Sequence, residues 1–515
     1  MTIPKYPVGI QTFSEIIEGG YTYVDKTEYV ARLTLQGKYY FLSRPRRFGK
    51  SLLLSTLRAY FEGRHELFEG LVLDSMNVNW TPRPVIHIDL NTSNYTLEDG
   101  LDKRLDSILS FYEKQYDISE PYPFLSVRFE QLIQRIYERT GRQVAILVDE
   151  YDKPLLAIED NPKLFIKNQA TLKGFFGVLK SMDMYICFAM LTGVARFNKV
   201  SVFSDLNNLD DISMSNDFAE VCGWTEKELT DNFKQGIQLL AEENGMSYEN
   251  ALLTMRKYYD GYQFTPKGSR LYNPFSVLST LKRRELDFYW FQTGTPTFLA
   301  KRVRDSRIDL PSLNSQWVNR SDLVSVGFDS SNPVPLLFQT GYLTIKSTEG
   351  RLIELHFPNY EVETGFAQEL LPFYLSSADK ADTPFSIVQF HRDLYTGDIS
   401  AFMKRLQTMI KDIPYEQHSE KLYQNLIYLI FTLAGSEAQM ERHTNNGRTD
   451  LEIITSAYIY IFEFKYNKSA EEAIAQIHSR DYAGRYALNK RQLYLIGANF
   501  SDSARGLDSW IIEKL

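Results

Sequence analysis

The sequence predicts an α/β protein with a sheet-containing unit at each end, and three observations support this fold class. Residues 1–222 alternate short runs rich in β-branched and aromatic residues with amphipathic stretches, which is typical of a parallel sheet flanked by helices. The run Val144–Val148 is apolar without alternation, as expected of a strand that is covered on both faces. Near the C-terminus a long apolar helix precedes a second group of strands.

The elements follow from local patterns along the chain. We expect the first sheet to contain strands at Tyr39–Leu42, Val85–Leu90, Val144–Val148 and Tyr185–Leu191. From Thr225 onwards the pattern is helical, and Glu228 stands where an acid completes the N-cap of Thr225. A hairpin is expected over Leu336–His356. The predicted domain boundaries are 1–222, 223–293, 294–385 and 386–515.

The C-terminal unit is predicted to contain two helices and four strands. In chain order these are the helix Glu420–Leu433, the strands Glu437–Thr444, Asp450–Thr455 and Tyr458–Tyr466, the helix Ala470–Tyr486 and the strand Gln492–Phe500.

Length and composition exclude several classes of protein. At ~150 residues per domain, 515 residues suggest about three domains. Contents of 43% hydrophobic and 24% charged residues exclude a disordered or collagen-like chain, and a net charge of −8 argues against a histone-like basic coat. Two cysteines exclude a disulfide framework and a cysteine-based zinc site. Without a secretion signal or an apolar run of ~20 residues, we expect a soluble cytoplasmic protein with no membrane partner.

The segment Arg44–Ser51 has the pattern of a phosphate-binding loop between a strand and a helix. In such a loop the backbone N–H groups and the helix N-terminus face an anion, here with Gly49 at the turn. Lys50 neutralises the outer phosphates and the Ser51 hydroxyl binds Mg²⁺. The general pattern has glycine where this chain has Arg44, so a chance turn is the alternative. The nearby Arg46 and Arg47 add charge that suits a phosphate or a partner strand.

A second motif and a third element strengthen the prediction of a nucleotide site. The strand at Val144 ends in Asp149, which we expect to hold Mg²⁺ through water, and Glu150, which we expect to polarise an attacking water. A pair of acids at the solvent end of a strand is the plain alternative. Thr192 ends the next apolar strand and is a candidate sensor of the terminal phosphate, with Arg196 a candidate arginine acting in cis. A turn and a surface arginine would give the same pattern.

The C-terminal strands carry the pattern of a metal-dependent phosphodiesterase. Asp450 is followed by Glu463 and Lys465 on one strand, and a period of two places the latter pair on one face. Two carboxylates can fix a Mg²⁺ that activates water, while a lysine stabilises the charge that develops at phosphorus. Solvated strand ends are the alternative for this triplet alone.

Several of these motifs together resemble a known family, the bacterial AAA-ATPase-like proteins joined to a PD-(D/E)XK nuclease-superfamily domain. The resemblance covers nearly the whole chain, and the arginine in place of the first glycine looks like the family's own usage. It implies a P-loop NTPase domain, a helical or winged-helix-like middle region and a C-terminal PD-(D/E)XK-type domain. It also implies that Glu420 is the family's helical acid and Gln476 its auxiliary polar residue. The matching segments are Tyr23–Thr27, Arg44–Ser51, Val148–Asp152, Leu191–Val194, Leu206–Leu209, Tyr259–Tyr262, Tyr272–Ser276, Gln339–Leu343 and Phe357–Asn359.

Two functional hypotheses remain open on the sequence. In the first, an ATP-dependent switch governs a Mg²⁺-dependent nuclease that acts on DNA or RNA. In the second, a nucleotide-sensing signalling or scaffold protein uses its nuclease-like unit to bind nucleic acid or a protein without cutting. A nuclease whose P-loop domain has lost hydrolysis is a narrower variant. A homo-oligomer also stays open, because the sequence offers no assignable arginine for a neighbouring subunit's site.

Overall fold

The chain divides into two compact units. The first comprises residues 1–294 and 317–361, and the second comprises residues 295–316 and 362–515. The four domain boundaries expected from the sequence stay a prediction. The computed structural model describes residues 4–118, 122–158, 160–196, 208–291, 297–324, 332–375, 383–411, 419–434, 437–444 and 447–515.

A parallel five-stranded sheet forms the centre of the first unit, with the strand order β2-β3-β4-β1-β5. The four predicted strands are confirmed to within two residues at each end, whereas β5 was not predicted. All residues of β3 are buried, so the expectation that this strand is covered on both faces is confirmed. The strands are β1 (Tyr39–Ser43), β2 (Val85–Asp89), β3 (Val144–Asp149), β4 (Ile186–Gly193) and β5 (Asp210–Asp211).

Ten helices accompany this sheet in the described part of residues 1–294. Thr225 caps α8 and the Glu228 side chain returns a hydrogen bond to the Thr225 backbone, so the predicted capping pair is confirmed. The helices are α1 (Phe13–Glu18), α2 (Glu28–Gln36), α3 (Lys50–Phe61), α4 (Gly100–Gln115), α5 (Leu125–Thr140), α6 (Lys153–Leu156), α7 (Pro162–Ser181), α8 (Glu226–Glu243), α9 (Tyr248–Tyr259) and α10 (Pro274–Arg283).

The middle of the chain combines short helices with a small sheet, and one prediction there is partly wrong. The expected hairpin Leu336–His356 begins later, because residues 334–340 form a helix with proline in its first turn and Gly341 at its end. The three strands have the order β6-β8-β7. The elements are α11 (Thr297–Asp305), β6 (Gln316–Asn319), α12 (Arg320–Leu323), α13 (Val334–Thr340), β7 (Thr344–Glu349) and β8 (Leu352–His356).

The C-terminal unit has a mixed sheet of strand order β13-β12-β11-β10-β9, in which β11 and β12 are parallel. The predicted order of helix, three strands, helix and strand is confirmed, although α18 ends earlier than expected and β13 was not predicted. Asp481 has a positive φ of 47°, a conformation that a right-handed helix does not contain, so the helix cannot extend through this residue. The elements are α14 (Tyr360–Tyr374), α15 (Thr383–Thr396), α16 (Ile399–Lys411), α17 (Glu420–Leu433), β9 (Glu437–Thr444), β10 (Gly447–Ile454), β11 (Tyr458–Tyr466), α18 (Ala470–Ser479), β12 (Gln492–Ser501) and β13 (Gly506–Lys514).

The two faces of β11 pack against different chemistry, as the period of two predicts. Ile459 and Ile461 belong to an aliphatic cluster with Ile474 of α18. On the other face the ring of Phe462 lies 5.2 Å from that of Phe431 on α17. The face that carries Glu463 is therefore the one that α18 covers, whereas the aromatic face packs on α17.

In the part of the chain that the structure describes, no helix combines the length and apolar character needed to cross a membrane.

Several distant segments pack behind the loop Arg44–Gly49, and we call these residues the loop collar: Tyr262, Phe264, Trp290 and Gly341. The ring of Phe48 lies 4.7 Å from that of Tyr262 and 5.4 Å from that of Phe264. The Trp290 indole N–H donates to the Arg46 carbonyl at 3.0 Å. Tyr262 and Gly341 belong to segments with the family resemblance and Phe264 lies next to one, so those motifs support the loop, whereas Trp290 lies outside them.

Gly341 offers a sharp test of this packing. An added Cβ there would lie 2.4 Å from Cγ of Pro45, at a φ of +89°, whereas a Cβ at Gly350, with a φ of +61°, would meet no atom within 4 Å. We expect Gly350→Ala to lower the free energy of unfolding by about 1 kcal/mol, the cost of a left-handed backbone for alanine. Gly341→Ala should cost about 1–3 kcal/mol more through overpacking, measured by urea denaturation. Equal losses in the two variants would contradict the collar's role.

Candidate functional site

The predicted phosphate loop lines a cavity of about 290 Å³ in the first unit. Its lining includes cationic and hydroxyl side chains from the loop and the start of α3. It also includes the apolar residues Ile10, Val24, Trp224 and Leu278. A lining that combines these two kinds of side chain suits a phosphate-bearing molecule with a flat ring. The loop and α3 contribute Arg46, Arg47, Phe48, Gly49, Lys50 and Ser51.

The backbone of the loop has two positive φ angles, at Arg47 (64°) and Gly49 (102°). Gly49 stands directly before α3, where only glycine takes such a conformation without strain. At Arg47 the left-handed conformation costs roughly 1–2 kcal/mol, and its guanidinium lies 5.1 Å from the centre of the Phe275 ring. By contrast, Arg44 stands where the general pattern has glycine but has no positive φ. The missing first glycine is therefore no obstacle to this loop.

Arg44 is a structural part of the loop. Its side chain is 1% exposed and donates to the carbonyls of Ser213 (2.7 Å) and Phe218 (3.1 Å). The guanidinium also lies 4.4 Å from the centre of the Phe264 ring. The arginine thus ties the first residue of the loop to the segment after β5, a function that glycine cannot perform.

Lys50 is buried against the loop itself. Its Nζ donates to the carbonyls of Arg44 at 2.9 Å and Pro45 at 3.0 Å. Two neutral carbonyls are weaker partners for an ammonium group than phosphate oxygens are. The lysine therefore has hydrogen bonds to exchange when an anion reaches the loop, and Ser51, next in sequence, lies on the same cavity wall.

Asp149, Glu150 and Thr192 meet at the carboxyl ends of the strands, as parallel pairing requires. The Thr192 hydroxyl donates to Asp149 Oδ1 at 2.7 Å, and both side chains are buried. Glu150 lines the cavity and has a φ of 51°, a strained backbone of the kind found at functional sites. The structure thus places Thr192 where it orients Asp149 and places Glu150 at the cavity.

Asp152 is a residue of this region whose role the sequence reasoning missed. Its Oδ2 accepts the backbone N–H groups of Val194 (2.8 Å) and Ala195 (2.7 Å), and it is 1% exposed. Burial, together with the charge of Glu150, raises the pKa of Asp152 to about 6 despite the two hydrogen bonds. The carboxylate fixes the turn after β4. The acid-rich motif Val148–Asp152 gave a signal, but only the fold shows which acid serves which purpose.

Arg196 lies at a different place from the one its proposed role needs. It lines a second cavity, forms an ion pair with Asp211, and its backbone N–H donates to Gln339 Oε1 at 2.7 Å. The structure brings Arg46, Arg47, Gly49, Lys50, Ser51 and Glu150 together at the first cavity, and it does not bring Arg196 there.

Lys26 is a cation of the first cavity that the sequence reasoning did not assign. Its Nζ lies 2.5 Å from Glu228 Oε1, and Glu228 is the acid of the α8 capping pair. This ion pair links the N-terminal segment to the start of the helical region at the cavity wall. Lys26 belongs to the segment Tyr23–Thr27 that carries the family resemblance, so a signal was present.

A buried carboxyl supports the loop from behind. Glu361 accepts the Trp290 backbone N–H at 2.7 Å and the Ser276 hydroxyl at 2.8 Å. Burial raises the pKa of Glu361 to about 8. The indole N–H of the same Trp290 donates to the Arg46 carbonyl. Glu361 therefore helps to hold the loop in place indirectly, by fixing Trp290.

The C-terminal unit gathers four of the predicted residues into one cluster. Asp450 Oδ2 accepts the Phe464 backbone N–H at 2.8 Å, which holds it beside Glu463. Lys465 Nζ donates to Glu463 Oε1 at 2.9 Å and to Gln476 Oε1 at 2.6 Å, and Gln476 in turn donates to Glu463 Oε1. The lysine and both carboxylates therefore occupy one side of the sheet, under α18.

Glu463 has an incomplete set of partners. Its side chain is almost fully buried, yet its Oε2 has no hydrogen-bond partner. Burial and the charge of Asp450 raise the pKa of Glu463 to about 7, although Lys465 opposes this. An orphan carboxylate oxygen beside a second carboxylate fits a hard divalent cation such as Mg²⁺, whose ligands are oxygens. Among the described residues, no group of three histidine, cysteine or acidic side chains is placed to hold a metal.

The helical acid Glu420 has a different environment from the buried Glu463. It is the exposed first residue of α17, behind the N-cap Ser419. Burial and Asp502 raise the pKa of Tyr466, and the charge of Glu420 adds to this shift. A further acid that sequence reasoning did not single out is Glu452, fully buried on β10 and ion-paired with Arg485. Glu452 and Asp450 are two residues apart on one strand, so they share a face.

The pKa of Glu463 predicts a dependence of stability on pH. Between about pH 4.5 and 7 the unfolded chain loses this proton while the folded chain keeps it, so stability falls as pH rises. In EDTA we expect the free energy of unfolding of Glu463→Gln, measured relative to that of the wild type, to gain ~1–3 kcal/mol from pH 5 to pH 8. The reason is that only the wild type must ionise a buried carboxyl with an unsatisfied oxygen over this range. Chemical denaturation at the two pH values measures this difference. The exposed Glu471→Gln on α18 is the control and should show no gain; an equal gain there would rule out the assignment.

Known proteins match both units. Residues 7–203 match the family described as predicted AAA-ATPase, and residues 418–510 match the PD-(D/E)XK nuclease superfamily. The uncharacterized protein in the vnfD 5′ region of Azotobacter chroococcum mcd 1 is 34% identical over 535 residues, covering 100% of both chains. The solved structure of the Aeropyrum pernix ORC2 protein in ADPNP–ADP complexes covers 67% of this chain and 92% of its own, at 10% identity and a TM-score of 0.24.

A relative of this identity that spans both chains completely establishes common descent. The phosphate loop with its strand-end acids lies within the first matched region, and the Asp450–Glu463–Lys465 cluster lies within the second. The chain therefore belongs to the AAA-ATPase-like family and has a C-terminal PD-(D/E)XK nuclease-superfamily domain, and the Azotobacter protein is a relative over its full length.

Proposed function

We propose that this protein is an ATP-binding and ATP-hydrolysing switch that controls a Mg²⁺-dependent nuclease acting on DNA or RNA. The observation that carries the proposal is the orphan Oε2 of Glu463, held beside Asp450 and Lys465 in a nuclease-superfamily domain. A buried carboxylate oxygen without a partner costs ~1–3 kcal/mol. Such a cost is understandable where the oxygen serves a ligand.

In the first unit, the proposed substrate is ATP in the first cavity. Its base would contact apolar lining residues such as Val24 and Trp224, and its phosphates would face Gly49 and Lys50. Lys50 would exchange its carbonyl partners for phosphate oxygens, a gain because charge-assisted hydrogen bonds are stronger. Mg²⁺, when bound, would offset phosphate charge, with Ser51 and Asp149 as the residues that hold it. Glu150 would orient and deprotonate the attacking water.

In the second unit, Asp450 and Glu463 are the residues that would hold Mg²⁺, which supplies activation of water and neutralisation of a leaving oxygen. The divalent charge would also favour the ionised form of Glu463, which burial disfavours. Lys465 would then be released from Glu463 to face the scissile phosphate. Gln476 would keep the Lys465 ammonium in position through its Oε1.

Control of one unit by the other is supported by the path of the chain. The chain passes from the first unit into the second within α14, whose second residue is Glu361. Glu361 holds the Trp290 backbone, and Trp290 holds the carbonyl of Arg46 in the phosphate loop. A rearrangement of the loop upon nucleotide binding would therefore reach the first turn of α14 through two hydrogen bonds.

Lys50→Ala tests the nucleotide half of the proposal. Loss of the ammonium should lower ATP turnover by about 10²–10³-fold, the usual loss when one group that stabilises transition-state charge is removed. Phosphate release with ATP and Mg²⁺, with and without nucleic acid, measures this effect. Lys234→Ala, an exposed lysine on α8, is the matched control and should keep wild-type turnover. If the wild type binds ATP but releases no phosphate, the switch acts by binding alone.

Asp450→Ala and Lys465→Ala test the nuclease half. Cleavage of single- and double-stranded DNA and RNA should require Mg²⁺, stop in EDTA and be abolished in both variants, because each removes charge that the reaction needs. Glu471→Gln on α18 should cut like the wild type. If the wild type leaves every substrate intact with Mg²⁺ and ATP present, the second hypothesis gains, namely a nucleotide-sensing scaffold that binds nucleic acid or a protein without cutting.

A further inference from the structure

The first unit contains a second cavity of about 300 Å³ that the proposed ATP site does not use. It lies at the carboxyl ends of β1 and β5, where Ser43 and Asp211 line it. Ligands of open parallel sheets bind at this edge of the sheet. The size is comparable with that of the first cavity and lies at the lower end of the range for small-molecule sites.

The charge of the second cavity is unbalanced. Arg44, Arg196 and Arg320 line it, with Asp211 as the acidic residue among its described lining residues. Arg196 pairs with Asp211, whereas Arg320 donates to the Met214 carbonyl at 3.3 Å. Two cationic groups are thus held by neutral carbonyls, and such a surface attracts an anion.

Arg44 adds an unmet hydrogen-bond donor. Its side chain is 1% exposed and its Nη1 and Nη2 groups donate to backbone carbonyls, yet its buried Nε has no partner. A buried unsatisfied N–H in a native protein calls for an explanation, such as a ligand. Burial lowers the pKa of Arg44 to about 10, so the group is still charged at neutral pH.

The second cavity also has an apolar part to its lining, beside polar residues such as Ser213 and Gln339. The apolar part includes Phe264, Phe338 and Leu323. A free inorganic ion would leave this surface without a contact, whereas an organic group attached to the anion would cover it. The planar forks of Arg196 and Arg320 match the geometry of phosphate oxygens.

We propose that the second cavity binds a small phosphate-bearing anion, separately from the nucleotide of the first cavity. The two sites share Arg44 and Pro45, which line the second cavity and whose carbonyls accept hydrogen bonds from Lys50 in the first. The phosphorylated ligand is therefore an effector placed directly behind the phosphate loop. This site does not depend on whether ATP is hydrolysed or nucleic acid is cut.

Calorimetric titration of the full chain with sodium phosphate and with AMP tests the proposal. We expect saturable binding of at least one of the two. If AMP binds more tightly than phosphate, the apolar part of the lining contributes to affinity; if phosphate binds at least as tightly, it does not. Binding should persist in Lys50→Ala, which removes a cation that lines the first cavity and not the second. It should weaken by about tenfold or more in Arg320→Gln and in Arg196→Gln, since each removes a charge-assisted contact.

Arg135→Gln is the matched control, because Arg135 is an exposed arginine on α5, paired with Glu138, away from the lining residues. Its affinity for the probes should equal that of the wild type. Thermal unfolding of each variant checks that the fold is kept. Three results would each overturn the proposal: no saturable binding of either probe, equal affinity in both cavity variants and the wild type, or complete loss of binding in Lys50→Ala.

Discussion

The loop Arg44–Gly49 must keep one backbone conformation, and much of the first unit is arranged to maintain it. The loop has positive φ angles at Arg47 and Gly49, and such a backbone persists only where its surroundings stabilise it. The stabilising contacts come from far away in sequence, since Trp290 holds the Arg46 carbonyl and Gly341 lets the chain approach Pro45. Arg44, by contrast, is a loop residue whose own side chain donates to backbone carbonyls in the segment after β5. The substitution of arginine for the first glycine thus exchanges a flexible residue for an anchor.

Part of the 14% aromatic content serves the same requirement, and part serves the packing of the second unit. Phe48 is the loop residue that meets the rings of Tyr262 and Phe264, and each pair of rings adds about 0.5–1.5 kcal/mol beyond the burial of its area. In the second unit, Phe462 packs on Phe431, so the aromatic face of β11 is core. Base stacking on these buried rings is excluded, since both Phe431 and Phe462 are fully buried.

Sequence patterns predicted what depends on neighbours along the chain. The strands β1 to β4, the cap of α8, the helix α17 and the two faces of β11 follow from period and from local capping, and these are confirmed. The short β5 escaped because two acidic residues have no strand pattern. Residues 336–340 are predicted as part of a hairpin because their apolar run fits a strand as well as a buried helix, and only Pro335 and Gly341 distinguish the two.

The site residues, too, could be predicted where they depend on neighbours along the chain and could not where they depend on distant segments. The loop residues and the Asp450–Glu463–Lys465 cluster could be predicted because a motif or a strand period brings them together. The placement of Arg196 at a second cavity could not, since that depends on Asp211 and Gln339, which come from separate segments. Nor could the sequence distinguish the task of Asp152, which holds a turn, from that of its neighbour Glu150 at the cavity.

Two buried glutamates show how the structure separates support from chemistry. Burial raises the pKa of both Glu361 and Glu463, so the shift alone does not distinguish them. In Glu361 each oxygen accepts a hydrogen bond, from Trp290 and from Ser276, so its needs are met within the fold. In Glu463 one oxygen collects the contacts of Lys465 and Gln476 while the other has none. A carboxyl that the fold satisfies is a structural element, whereas one that the fold buries and leaves incomplete requires a ligand to become stable in its ionised form.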